Sequence, residues 1–191
     1  MCYSHDNTDN GFDGSHGMMV MLGTVVDSNG DRGVHINGVE RGSFFNNVFY
    51  NNTNEGVEIT ETKAEEVYFP VFNNIFKDNG SYAYELQGEA SVTAPVWDYN
   101  CYHGNNAGGT QLLGISPGAN DTTSDPDFVN APGGDFTLNS GSPCLDAGLG
   151  VDTFTAITGD YKWNIGSDQD DVAAGGTTTY THGSISAHTN M

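Results

Sequence analysis

Asp6-Asn7-Thr8-Asp9-Asn10-Gly11-Phe12-Asp13 decides the fold, because the chain repeats its grammar. The copies are Ser28-Asn29-Gly30-Asp31-Arg32-Gly33-Val34-His35-Ile36, then Asn51-Asn52-Thr53-Asn54-Glu55-Gly56-Val57-Glu58-Ile59, then Asp78-Asn79-Gly80-Ser81-Tyr82-Ala83-Tyr84-Glu85-Leu86. Each reads Asn, three variable residues, a small residue, then apolar-polar-apolar. Aligned on Gly11, Gly33, Gly56 and Ala83, the copies lie 22, 23 and 27 residues apart. A period in this range marks a solenoid, whose repeats bury their apolar faces only by stacking on one another.

Side chains of a strand alternate between two faces. The inward columns are then Phe12/Val34/Val57/Tyr84 and Gly14/Ile36/Ile59/Leu86. Outward columns read Asp13/His35/Glu58/Glu85 and Ser15/Asn37/Thr60/Gln87, and a further apolar column, Ser4/Val26/Phe49/Phe76, precedes the bend. No helical period competes with this two-residue alternation, so the chain reads as an all-β coil of parallel strands. Neighbouring strands sit about 4.8 Å apart, which places equivalent side chains of successive coils on top of each other. Asn7, Asn29, Asn52 and Asn79 fall at the bend, where stacked amides bond to one another and to turn backbone. Asn46-Asn47 and Asn73-Asn74 mark a second bend, and a degenerate coil runs from Val96 to Tyr102.

The length, 191 residues, suits one domain. Abundant Gly (26), 11% aromatics and only 16% charged residues favour short strands and many turns. The longest apolar run, around Met18 to Leu22, is far too short to span a bilayer. A formal net charge of −20 repels phosphate backbones, excludes nucleic acid as a partner and favours divalent cations. Cys2, Cys101 and Cys144 make no disulfide framework; the odd number leaves one unpaired, and Cys101 and Cys144 read as small packed hydrophobes. No signal peptide is visible, yet Cys2-Tyr3-Ser4-His5 is already in register with later copies. The expectation is a C-terminal piece of a longer protein, with coils over 1–114, terminal coils and a cap for the last open edge over 115–171, and a tail over 172–191 that is disordered or partner-bound.

The Asn bend followed by Gly-Val-x-Ile resembles the right-handed parallel β-helix repeat of the pectate-lyase-like superfamily. Asp125-Pro126-Asp127-Phe128-Val129-Asn130, Gly134-Asp135-Phe136-Thr137-Leu138 and Gly141-Ser142-Pro143-Cys144-Leu145-Asp146-Ala147-Gly148 resemble the C-terminal segment of bacterial extracellular β-helices. The resemblance therefore implies a secreted or cell-surface protein. Cys2 to Asp13 is similar to the calcium-binding coil of family 9 polysaccharide lyases, in which an Asp-Asp-Gly-Phe-Asp run supplies ligands. By that resemblance Asp9, Asn10 and Asp13 hold Ca²⁺, with Asn10 standing where the family has Asp. Gly33-Val34-His35-Ile36 stands where the family's Gly-Phe-Lys-Leu strand carries its catalytic Lys.

The residues make a case of their own. Asp13, His35, Glu58 and Glu85 should form one exposed line along a sheet, and carboxylates that close need a cation, a proton or a basic neighbour. A hard cation suits Asp9, Asn10 and Asp13. His35 is the candidate base, Arg32 and Arg41 the candidates to stabilise developing charge, and Glu58, Glu85 and Asn37 the candidate substrate contacts. The expected function is Ca²⁺-dependent binding or cleavage of an acidic polysaccharide by a lyase-like β-helix. The rival is a non-catalytic module of a tailspike, adhesin or surface filament, whose open first coil docks onto another chain or onto preceding coils. An outward polar column that is merely solvated weighs against the enzyme.

Overall fold

The computed structural model describes residues 2–15, 18–38, 41–60, 70–87, 97–149 and 166, so the tail at 172–191 lies outside the described residues. Strands come in successive triplets. The first is β1 (Cys2–His5), β2 (Phe12–Ser15) and β3 (Met18–Leu22); the next is β4 (Thr24–Asp27), β5 (Val34–Asn37) and β6 (Arg41–Phe45). Then follow β7 (Val48–Tyr50), β8 (Val57–Thr60) and β9 (Val71–Phe72), and β10 (Ile75–Lys77), β11 (Tyr84–Leu86) and β12 (Trp97–Asp98). The pair β13 (Cys101–His103) and β14 (Leu112–Leu113) closes the series. Each member stacks in parallel on its counterpart in the next coil, giving sheets β1-β4-β7-β10-β13, β14-β11-β8-β5-β2 and β12-β9-β6-β3. The fold is a parallel β-solenoid with almost no helix.

The register is the one that the repeat dictates. Phe12, Val34, Val57 and Tyr84 pair in turn, as do Ser4, Val26, Phe49 and Phe76. Inside, like side chains pile on like: the rings of Phe49 and Phe76 stack with centroids 4.8 Å apart, and Trp97 continues the stack at 5.9 Å. The small column has a steric cause. A Cβ on Gly33 would meet the Gly56 carbonyl oxygen at 2.5 Å, and one on Gly56 the Ala83 oxygen at 2.6 Å, so these two positions take only Gly, while Ala83 closes the column.

Among the described residues, two of the bends in each coil are built alike. Asp6, Ser28, Asn51, Asp78 and Gly104 adopt positive φ, and each precedes a ladder amide, namely Asn7, Asn29, Asn52, Asn79 and Asn105. Successive Nδ2 groups donate to the next Oδ1 at 2.8, 2.9, 2.9 and 2.8 Å, and Asn105 ends on Gln111 at 2.9 Å. The second bend repeats the device with Asn47, Asn74 and Asn100 behind positive-φ Asn46, Asn73 and Tyr99. Asp121 terminates it by accepting from Trp97 Nε1, Tyr102 Oη and the backbone N–H groups of Asn100 and Gly118. A left-handed non-glycine residue costs roughly 1–2 kcal/mol, which the buried amide bonds that follow offset.

The C-terminal segment differs from a simple end cap. Residues near Ile115 and Thr122 do cover the last coil, with Ile115 against the solenoid core and Thr122 bridging Cys101. The antiparallel pair β15 (Phe128–Asn130) and β16 (Asp135–Leu138) instead lies on the outer face of the first sheet. There Phe136, Leu138 and Cys144 pack on Val25, Val48, Ile75 and Cys101, and Phe136 reaches back to Tyr3 with ring centroids 6.4 Å apart. The reason is a second apolar column, Tyr3/Val25/Val48/Ile75/Cys101, in register on that outer face. A sheet covered on both faces needs apolar residues at consecutive positions.

Candidate functional site

Strands β2, β5, β8 and β11 set Asp13, His35, Glu58 and Glu85 side by side in strict register. The line exists, but it is not exposed along its length. The Asp13 side chain is 65% exposed, whereas Glu58 and Glu85 are only 4% and 6% exposed. Arg32 and Glu55 close over them from the neighbouring column. The bonds Gly11 N–H to Arg32 O, Gly33 N–H to Glu55 O and Gly56 N–H to Tyr82 O align Asn10, Arg32, Glu55 and Tyr82 beside the acidic line.

Arg32, placed at the bend, points into this line. Its Nε lies 2.5 Å from Glu58 Oε2 and 3.2 Å from Glu55 Oε2, while Nη1 donates to Asp31 at 2.7 Å. Arg32 Nε and the two Oε2 atoms are buried without a well-directed hydrogen bond, so the contact there is one of charge. Gln87 Nε2 donates to Glu58 Oε1 at 3.0 Å and to Glu85 Oε1 at 2.5 Å.

Carboxylate oxygens of Glu55, Glu58 and Glu85 all lie within 4.8 Å of one another. At about 4 Å two such charges repel by about 4 kcal/mol at an effective dielectric near 20, and one guanidinium cannot neutralise three. Protonation relieves the rest. Burial raises the Glu58 carboxyl above its ordinary value, with Arg32 opposing and Glu55 adding. Burial also raises Glu85, with the Gln87 hydrogen bond opposing and Glu55 and Glu58 adding. Carboxyls so displaced can give a proton as well as accept one.

His35 bridges the exposed and buried ends of the line. Its Nδ1 is 3.3 Å from Asp13 Oδ1, its Nε2 is 3.6 Å from Glu58 Oε2, and Thr60 Oγ1 lies 3.4 Å from the same nitrogen. Asn37 pairs in register with Thr60 in the next outward column, and its Oδ1 is buried without a hydrogen-bond partner among the described residues. Arg41 enters β6, but its side chain lies outside what is described.

Asp9 and Asp13 are exposed at the rim. Asn10, half-buried beside them, accepts the Arg32 N–H on its Oδ1 at 3.2 Å, which leaves that oxygen a second lone pair, and its Nδ2 donates towards Asp13 Oδ2 at 3.4 Å. Sequence reasoning missed Glu55, although a signal was present: Glu55 stands immediately before Gly56 as Arg32 stands before Gly33.

A family model described as a domain of unknown function (DUF5123) matches residues 42–163, more than half of the chain. No curated protein and no solved structure matches it.

Proposed function

We propose, for a chain that belongs to the domain-of-unknown-function family DUF5123, that its β-solenoid binds and cleaves an acidic polysaccharide along the face of β2, β5, β8 and β11. The reading places it with the pectate-lyase-like β-helices, nearest to family 9 polysaccharide lyases, and outside the cell or on its surface. One observation carries it: an imidazole, a guanidinium and two carboxyls displaced towards neutrality share one patch on a rigid sheet. Structural ion pairs of a solvated face need no buried carboxyls, and perturbed groups gather where chemistry is done.

In a β-elimination a base removes the proton on the carbon beside the uronate carboxylate. The electron pair becomes a carbon–carbon double bond, and the bond to the leaving sugar oxygen breaks. His35 is the proposed base, Arg32 faces the developing negative charge, and a protonated Glu58 or Glu85 supplies the proton to the leaving oxygen. Asn37 contacts the bound sugars from the next outward column; Glu58 and Glu85, expected as exposed sugar contacts, are buried under Arg32 and Glu55. A chain of net charge −20 repels a uronate polymer, so a Ca²⁺ held by Asp9, Asn10 and Asp13 would bridge the two. Incubation with polygalacturonate and with alginate, with Ca²⁺ present, should generate the ultraviolet absorbance of an unsaturated product. His35→Ala should lower that rate by about 10²-fold or more while leaving the melting temperature within a few degrees.

A second reading rests on the first coil. Among the described residues no amide donates to Asn7 Oδ1, and Met18, Val20 and Leu22 on β3 are exposed. A coil of the same grammar offered by another chain would continue the ladder and pair the open edges of β1, β2 and β3, making the solenoid one segment of an assembled rod. No product from any acidic glycan, together with discrete oligomers in light scattering, would favour this reading over the enzyme.

A further inference from the structure

Cys101 and Cys144 are both fully buried, in one apolar cluster with Val25, Val48, Ile75, Phe136 and Leu138. They reach the same short stretch of chain from opposite sides. Cys101 opens β13, pairs through its backbone with Thr122, and its Sγ donates to the Ser124 carbonyl at 3.3 Å. Cys144 donates its N–H to Ser142 Oγ at 3.1 Å, and that hydroxyl donates to the Pro126 carbonyl at 2.5 Å. Residues 124 and 126 thus bring the two cysteines, free thiols in this structure, into one buried cluster. Cys2 is exposed on β1, at the opposite edge of the five-stranded sheet from β13. Four strand spacings, about 19 Å, separate those edges, well beyond the roughly 7 Å limit for bridging Cα atoms.

We propose that Cys101 and Cys144 form a disulfide that fastens the C-terminal segment to the last strand of the first sheet, leaving Cys2 as the free thiol. Each cysteine gives up its sulfur-bound hydrogen. A small disulfide such as oxidised glutathione accepts the two electrons and two protons and departs as two thiols. Contact with Cys144 and burial raise the Cys101 thiol well above its usual range, so thiolate is scarce once the segment has docked. The exchange therefore belongs to folding in an oxidising compartment, before the cluster closes. This inference is independent of the polysaccharide reading and stands or falls apart from it.

The test is to refold the full chain from denaturant in a mixture of oxidised and reduced glutathione, alkylate it without reduction, and map the peptides by mass. The expected result is an intact mass lower by two hydrogens, alkylation at Cys2 alone, and a linked peptide joining Cys101 to Cys144. Reduction should lower the melting temperature by roughly 5–15 °C in the parent chain and not in Cys144→Ser. Three alkylated cysteines in a cooperatively melting refolded chain, or a linkage through Cys2, would overturn the proposal. Peptide mapping of the parent chain decides the matter even where Cys144→Ser does not fold.

Discussion

Glu85 is a buried carboxyl beside two others, and its chemistry can be read as stability. Burial, with Glu55 and Glu58 adding to it, keeps it protonated at higher pH than in the unfolded chain, against the Gln87 hydrogen bond. Such a group stabilises the fold at low pH and loses that contribution as pH rises through its folded value. Glu85→Gln should therefore melt higher than the parent at neutral pH, by about 2–4 °C for each kcal/mol relieved. The gap should close as pH falls towards the ordinary glutamate value of about 4.3, and calorimetry across that range checks it. At this scale the sequence was half legible. Alternation along the strand gives the line Asp13/His35/Glu58/Glu85, but its burial comes from Arg32 and Glu55, one column away. Their side chains fold across from the bend, and strand alternation does not describe bends.

At the level of elements, the Asn ladder fixes which strand meets which. Asn52 accepts from the Asn29 side chain and backbone and donates to Asn79 and to the Val26 carbonyl, all in the buried interior. Asn52→Ala strands those partners, and each orphaned buried group costs about 1–3 kcal/mol, so we expect a loss of about 2–4 kcal/mol in urea unfolding. Asn7→Ala, at the ladder's exposed end, should cost about 0.5 kcal/mol or less. These bends were readable because Asn at a left-handed turn is a local signal of residue type. The third sheet was not. Its strands begin at Met18, Arg41, Val71 and Trp97, so the distance from the preceding β2-type strand varies from coil to coil. A period anchored on the Asn bend cannot place strands that follow connections of unequal length.

For the molecule as a whole, the C-terminal segment is a second layer on the first sheet. Phe136 fills the junction, with ring contacts to Tyr3, Tyr50 and Phe128. Phe136→Ala should cost about 3–5 kcal/mol and speed amide exchange in β4 and β7, which the segment covers. The two-faced burial was written in Val25-Val26, Val48-Phe49-Tyr50 and Ile75-Phe76, where apolar residues run on instead of alternating. Reading only the inward half of those runs hides the outer layer. The solenoid, the site and the proposed chemistry all require that residues a full coil apart in sequence touch. Carbon-13 titration of the Glu85 side chain, in the parent chain and in Glu58→Gln, measures this directly. The Glu85 carboxyl should titrate above the ordinary glutamate range and move down when Glu58 is neutralised. A Glu85 that titrates in the ordinary range in both proteins would contradict it.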